Sequence, residues 1–443
     1  MKNIGLSKLW NSLRFSYWFL PSLMAIGGIG LAMLALTLDQ TDSIKTEALS
    51  WLYQGGPDGA RALLSAVAGS MITVAATAFS ITIVALQLAA ANFGPRLLRN
   101  FMRDQGNQMV LGTFIATFLY CLLVLRRIYG EDYNPFVPHI SVTLSIVLSF
   151  ASISMLIYFI HHASTIIQAS HVIADVVNDL DKAIERLFPE KIGEGPSQET
   201  RKVTEIPRDF ESQTCPVKST KTGYIQTIND TLMLKMVGKR NLLLRLECRP
   251  GQFIAKGDTL ALVYPGNGVN QELESRLNET FLVGRERTEQ QDIEFPFNQL
   301  VEIALRALSP GINDPFTAVR CIDRLSAGLS ALAQRKFPSR YRYDEGGELR
   351  IIAEPVMFER LVDITFNQIR HYGKSDVLVM VRLLDAIAEI ASRTHHAHDR
   401  LVLRKQADTI LHSSYDGLPE KYDQNMIEAH YKYAIEHLAR GGN

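Results

Sequence analysis

Hydrophobic positions along this 443-residue chain follow two different rules. Between residues 17 and 160 they gather into continuous apolar runs, whereas the remainder mixes apolar and polar positions as a soluble protein does. The runs at 17–38, 62–95, 108–125 and 140–160 are each long enough, as helices, to cross the roughly 30 Å hydrocarbon core of a bilayer. The first, preceded by the basic Lys2, Lys8 and Arg14, looks like a signal peptide. It exceeds the usual apolar region of one, and three more runs follow, so the pattern predicts four transmembrane helices with the first uncleaved.

The second run departs from a plain anchor. No Asp, Glu, Lys or Arg falls between Ala62 and Pro95, yet Ser70, Thr73, Thr77, Ser80, Val84 and Gln87 recur at steps of three and four. That spacing lines hydroxyl, small and amide groups along one helix face. In a bilayer such a face suits close helix packing or a wet pathway better than lipid. Counting Lys and Arg near the span ends sets the orientation. The N-terminus and the second loop, with Arg96, Arg99 and Arg103, are basic, while the first loop carries Asp39, Asp42, Glu47 and Asp58. Both termini are therefore expected in the cytoplasm.

From His161 to Phe188 the sequence keeps a helical character, with no Pro or Gly until Pro189. Ser170, Ile173, Val177, Leu180, Ile184 and Leu187 alternate spacings of three and four, which fits a coiled-coil seam or a face packed on the chain's own soluble domain. Residues 189–214 read as a linker. A small β segment is expected over 215–264, resembling half of a lipoyl or biotinyl-type barrel sandwich. Such carriers place the modified lysine on a hairpin after the Gly-Asp turn; here Lys235 precedes Gly257-Asp258, so no carried cofactor is expected.

Residues 265–443 read as a mainly helical domain. Leu300, Ile303, Ala304, Ala307 and Leu308 make one apolar face and Ala318, Ile322, Leu325, Leu329 and Leu332 the next, around a Ser309–Pro315 turn. A loop or hairpin is expected at 335–353, then helices at 355–371, 375–393, 395–413 and 422–440. The predicted fold class is an α-helical membrane protein: four transmembrane helices over 1–160, a cytoplasmic extension of the fourth over 161–188, and a C-terminal cytoplasmic α+β domain. That domain joins a small β-sandwich-like segment to a helical bundle.

Composition narrows the function classes. Apolar residues make up 47% of the chain and the formal charge is zero, which excludes a disordered class and argues against nucleic-acid binding. Cys121, Cys215, Cys248 and Cys321 lack CxxC spacing, so neither a disulfide framework nor a zinc site is indicated. No phosphate-binding loop, HExxH, nucleophile elbow or dinucleotide fingerprint occurs, and His395, His396 and His398 read as a solvated surface. An enzyme, a cofactor and a metal are accordingly not expected.

Two segments, Phe79–Leu98 (FSITIVALQLAAANFGPRLL) and Gly284–Phe295 (GRERTEQQDIEF) with Ile303–Ala318 (IALRALSPGINDPFTA), resemble an uncharacterised family of predicted bacterial membrane proteins, domain of unknown function 2254. The resemblance implies a bacterial inner-membrane protein and carries no activity with it. Within those segments Arg285, Arg287, Asp292, Asn313 and Asp314 form the most distinctive polar group. They suit a small anionic ligand or, alternatively, a buried ion pair and a helix cap at an interface. Arg96, Arg99 and Arg103 suit a cytoplasmic channel mouth or anionic lipid headgroups.

Two functions follow. In the first, homo-oligomers form an ion channel or related pathway, with the second helix lining the axis and the cytoplasmic domain assembling or gating it. In the second, the protein is a membrane-anchored scaffold or sensor whose cytoplasmic domain binds a partner protein or an anionic ligand.

Overall fold

The computed structural model describes residues 18–40, 52–94, 104–129, 136–166, 168–189 and 206–440. The chain divides into two compact units, Met1–Val172 and Ile173–Asn443. The first contains four helices long and apolar enough to cross a membrane: α1 (Phe19–Gln40), α2 (Pro57–Phe93), α3 (Gln105–Leu125) and α4 (His139–Ile166).

Small side chains hold these helices together. The buried face of α2 is Ala60, Leu64, Ala68, Met71, Ala75, Ala78, Thr82, Ala85, Ala89 and Phe93, largely alanine, which lets backbones approach closely where lipid supplies no hydrophobic drive. Ala60, Leu64 and Ala68 share a core with Tyr120, Cys121 and Val124 of α3. Met71, Ala75 and Ala78 share one with Val110, Leu111 and Phe114, so α2 and α3 run antiparallel. By that register the end of α2 reaches roughly 15 Å past the first turn of α3 at 1.5 Å per residue. Gly28 of α1 sits against α3, where an added Cβ would lie 2.7 Å from the Ala116 carbonyl oxygen.

Polar contacts tie α4 in. Asp39, at the end of α1, accepts from the backbone N–H of Ile140 and Ser141 at 2.9 Å each and from Ser141 Oγ at 2.6 Å. It thereby satisfies the free amides of the α4 N-terminus. Tyr120 donates to the Ser141 carbonyl at 2.9 Å, and Thr117 and Ser152 hydroxyls meet at 3.1 Å.

The expected unbroken helix from the fourth span to Phe188 is interrupted: α4 ends at Ile166 and α5 spans Ala169–Leu187. Of the expected seam, Ile173, Leu180 and Ile184 are buried, while Ser170 is exposed and Val177 and Leu187 are half-buried. Val172, Val176 and Ala183 complete the buried face instead. From Ile173 onward that face belongs to the second unit. Leu180 lies where a Cβ on Gly328 would come within 2.9 Å of it, Arg335 donates to the Phe188 carbonyl at 2.7 Å, and the Phe188 and Phe337 rings are 5.0 Å apart.

After the short α6 (Phe210–Gln213), the strands are β1 (Cys215–Lys218), β2 (Gly223–Ile228), β3 (Leu243–Leu246), β4 (Phe253–Ile254), β5 (Thr259–Tyr264), β6 (Phe281–Gly284), β7 (Tyr341–Tyr343) and β8 (Leu349–Ile352). They form a five-stranded sheet, β1-β5-β3-β8-β7, and a three-stranded one, β4-β2-β6. The β region is thus not confined to 215–264. The hairpin at 341–352 joins it through the parallel β3–β8 pair. Nor is it all strand, because α7 (Asp230–Lys239), capped by Asn229 Oδ1 on the Leu232 N–H, interrupts it and carries Lys235. One core, including Val217, Ile225, Met233, Leu244, Leu273 and Ile351, serves both sheets, α7 and α8 (Gln271–Thr280).

Six helices follow: α9 (Glu294–Ala307), α10 (Pro315–Leu332), α11 (Phe358–Gly373), α12 (Val377–Ala391), α13 (Ala397–Gly417) and α14 (Lys421–Arg440). Each expected helix in this stretch is present, with ends shifted by a few residues. We expect Gly28→Val to overpack the α1–α3 contact and cost about 1–3 kcal/mol, read as a lower unfolding temperature in detergent. Gly27→Val, at a position with open space, should leave it unchanged.

Candidate functional site

The hydroxyl stripe lies on the side of α2 nearly opposite its alanine face, as 100° per residue requires. Ser70, Thr73, Thr77, Ser80, Val84 and Gln87 are all exposed in the single chain. Four of the hydroxyls donate to the carbonyl one turn back: Ser70 to Ala66 at 2.7 Å, Thr73 to Gly69 at 2.8 Å, Thr77 to Thr73 at 3.0 Å and Ser80 to Ala76 at 2.9 Å. Their hydrogens are therefore occupied within the helix. Their oxygen lone pairs stay outward as acceptors, which suits water or a cation.

The flanking charges fall out differently. Arg96, Arg99 and Arg103 lie outside the described residues, as do Asp42 and Glu47. Asp39, read as part of an acidic outer surface, is instead the cap of α4; Asp58 is exposed in the first turn of α2. At the other end of the bundle Asp104 caps α3 through the N–H of Gly106 and Asn107 at 3.1 and 3.3 Å. Its Oδ2 also lies 2.6 Å from His162 Nε2, with Tyr158 stacked on that imidazole at 5.1 Å. Apolar periodicity gave no hint of this pair, since its members are 58 positions apart.

In the second unit the structure separates the distinctive polar group into two places. Asp292 is buried and receives Arg287 Nε and Nη2 at 2.7 Å each. Asn313 and Asp314 stand beyond the other end of α9, roughly 20 Å of helix away. Asp314 caps α10 by accepting from the Thr317 N–H at 3.1 Å and its hydroxyl at 2.6 Å. Asn313 takes the left-handed conformation, φ 49°, that closes the turn. Arg285 is exposed. The Arg287 fork is held by Asp292, which leaves the expected two-arginine anion site with one outward guanidinium.

The group that Arg287 does belong to is larger. Glu294, buried at the start of α9, takes Arg249 at 2.8 Å and Arg360 at 3.3 Å on the same oxygen, Oε1. Arg287 lies 3.8 Å from its other oxygen. Arg249 comes from the β3–β4 connection and Arg360 from α11, so one carboxylate joins the sheets to the helical bundle. Burial pushes the Asp292 carboxyl above its ordinary value, and Arg287 only partly opposes this. Its Oδ1 has no hydrogen-bond partner. Glu294 was visible in the sequence, but its partners lie 45 and 66 positions away.

The sequence of this chain matches the family described as "Predicted membrane protein (DUF2254)" over residues 14–389. The chain belongs to that family. It is 31% identical to the proteins named "Uncharacterized protein Rv1290c" of Mycobacterium tuberculosis and "Uncharacterized protein Mb1321c" of Mycobacterium bovis, over 97% of this chain and 82% of each relative. No solved structure matches. The DUF2254 match takes in every residue of the α2 stripe and of the Glu294 group, and it ends at Glu389 within α12.

Around that end point lies a feature of this DUF2254 chain that motif reading missed. A cleft of about 390 Å³ between α12 and α14 is lined by Arg382, Asp385, Glu389, Ser392, Tyr433 and His437. Arg382 pairs with Glu389 at 2.8 Å and with Asp323 at 2.5 Å. Burial works against its charge, but these bonds outweigh it and raise its pKa. The spacing 382, 385, 389, 392 is a polar face legible in the sequence; that α14 supplies the facing wall is not.

The raised Asp292 carboxyl has a signed consequence. The folded state binds this proton more tightly than the unfolded chain does. Its contribution to stability is therefore fully present below the unfolded carboxylate pKa and lost as pH rises through the folded one. Measured by thermal unfolding, the wild type should gain stability relative to Asp292→Asn as pH falls from neutral into the acid range. An unchanged difference would rule this out.

Proposed function

We propose that this chain is one subunit of a homo-oligomeric ion channel, or related pathway, in a bacterial cytoplasmic membrane, with both termini on the cytoplasmic side. Copies of α2 surround the axis. The observation that carries this reading is the disposition of α2: its alanine face packs on α3 from Ala60 to Ala78, while the six stripe residues stay exposed in the single chain. Outward hydroxyl oxygens at Ser70, Thr73, Thr77 and Ser80 give an ion successive weak acceptors, and Val84 offers an apolar constriction. The overhang of α2 past α3 lengthens the lining beyond the bilayer core. The second unit assembles the subunits or gates the axis through α5.

A scaffold whose stripe packs on helices of its own subunit finds no support in these exposures. Membrane lipids and further copies of the chain are the partners this reading requires. The test is conductance of purified full-length protein in planar bilayers under voltage or tension. Thr77→Leu should cut unitary conductance several-fold, while Ile72→Ala, off the stripe, should leave it unchanged. Absence of any conductance, or equal currents from both variants, would count against the axis placement.

A further inference from the structure

Glu294 is met by more positive charge than the carboxylates around it neutralise. Arg249, Arg287 and Arg360 approach it, and the only acid beside it in the group is Asp292. With both carboxylates ionised the group carries one net positive charge. Because burial raises the Asp292 carboxyl, the excess grows as pH falls. Glu359, next to Arg360 in sequence, lies 3.8 Å from His398.

The excess is not spread evenly. Arg287 gives Nε and Nη2 to Asp292. Arg249 donates to Glu294 through Nη2 alone and Arg360 through Nε alone. Among the described residues no other hydrogen bond or ion pair engages Nε and Nη1 of Arg249, or either Nη of Arg360. Both side chains reach solvent, at 37% and 55% exposure, over a carboxylate that is 7% exposed. An ion pair formed for stability alone gains most when a guanidinium fork meets both carboxylate oxygens. Here neither fork does so.

The two open forks are held close together. Their donating nitrogens lie 2.8 and 3.3 Å from one oxygen, Oε1, and therefore within about 6 Å of each other. Arg249 is placed by the β3–β4 connection, where its N–H bonds the Gln252 side chain at 3.3 Å. In the same connection Gly251, at φ 85°, brings the backbone against the Asp292 carboxylate. Arg360 is placed by the first turn of α11, where its N–H bonds the Met357 carbonyl at 3.1 Å.

We propose that Arg249 and Arg360 bind a terminal phosphate group, with Glu294 holding the two guanidiniums together in the empty site. Such a group carries nearly two negative charges near neutral pH and has three outward oxygens, so it accepts from both forks at once. Glu294 offsets the repulsion between the arginines and still leaves positive charge for the ligand. The site is not the two-arginine pair expected from the sequence: Arg285 takes no part, and Arg249 and Arg360 lie 45 and 66 positions from Glu294. The phosphate is either free in solution or carried on a lipid headgroup. Phosphate binding and conduction stand or fall separately.

Equilibrium dialysis of purified full-length protein in detergent against radiolabelled inorganic phosphate, at low chloride, tests this. Binding should saturate. Arg249→Gln and Arg360→Gln should each weaken it at least about tenfold, as expected for a lost charge-assisted hydrogen bond. Arg285→Gln, an exposed arginine outside the group, should leave it unchanged. Each single variant leaves Glu294 one of its two close guanidiniums, and unchanged circular dichroism and elution volume confirm folding. Where a variant fails that check, the corresponding lysine, which keeps the charge and loses the fork, takes its place and should still weaken binding. A parallel gel filtration with radiolabelled phosphatidic acid separates the two sources. Lipid retained by the wild type and lost by Arg360→Gln assigns the phosphate to a headgroup, whereas saturable inorganic phosphate without retained lipid assigns it to solution. Binding of neither ligand, or equal binding by the wild type and both glutamine variants, would overturn the proposal.

Discussion

The close approach of α2 to α3 is the contact on which the membrane unit depends. Lipid tails are as apolar as leucine, so burying apolar area gives little drive inside a bilayer. What remains is van der Waals contact, which grows as side chains shrink and backbones draw near. The alanines of α2 supply that contact over much of the helix. Gly28 does the same for α1 against Ala116. Once the alanine face is fixed on α3, helix geometry turns the stripe away from α3.

A different economy holds in the second unit, where water is present and apolar burial does drive folding. There Glu294 bridges the sheets and the helical bundle. A buried carboxylate is costly unless its charge is met. Three guanidiniums from separate segments meet it here, which makes the group a joint as well as a stabilising contact. Asp292 beside it is also buried, and part of its hydrogen-bonding capacity stays unused.

Helix α4 ends at Ile166 and α5 spans Ala169–Leu187. From Ile173 onward α5 belongs to the second unit, where the Arg335 bond to the Phe188 carbonyl holds its end.

Much of this was legible in the residues. Continuous apolar runs fixed the four spans, because a bilayer demands some twenty apolar residues of any helix that crosses it. Apolar steps of three and four fixed the later helices, and Asn313-Asp314-Pro315 fixed the start of α10. These signals are local and need no knowledge of neighbours. Tertiary structure alone decided which face of α2 is buried, that Asp39 caps α4, that a hairpin at 341–352 joins β3, and that Glu294 gathers Arg249 and Arg360. Each of these rests on groups far apart in sequence, and no local pattern records which distant residue will satisfy a given charge, amide or apolar face. The stripe itself is a sequence feature; its outward direction is a consequence of packing.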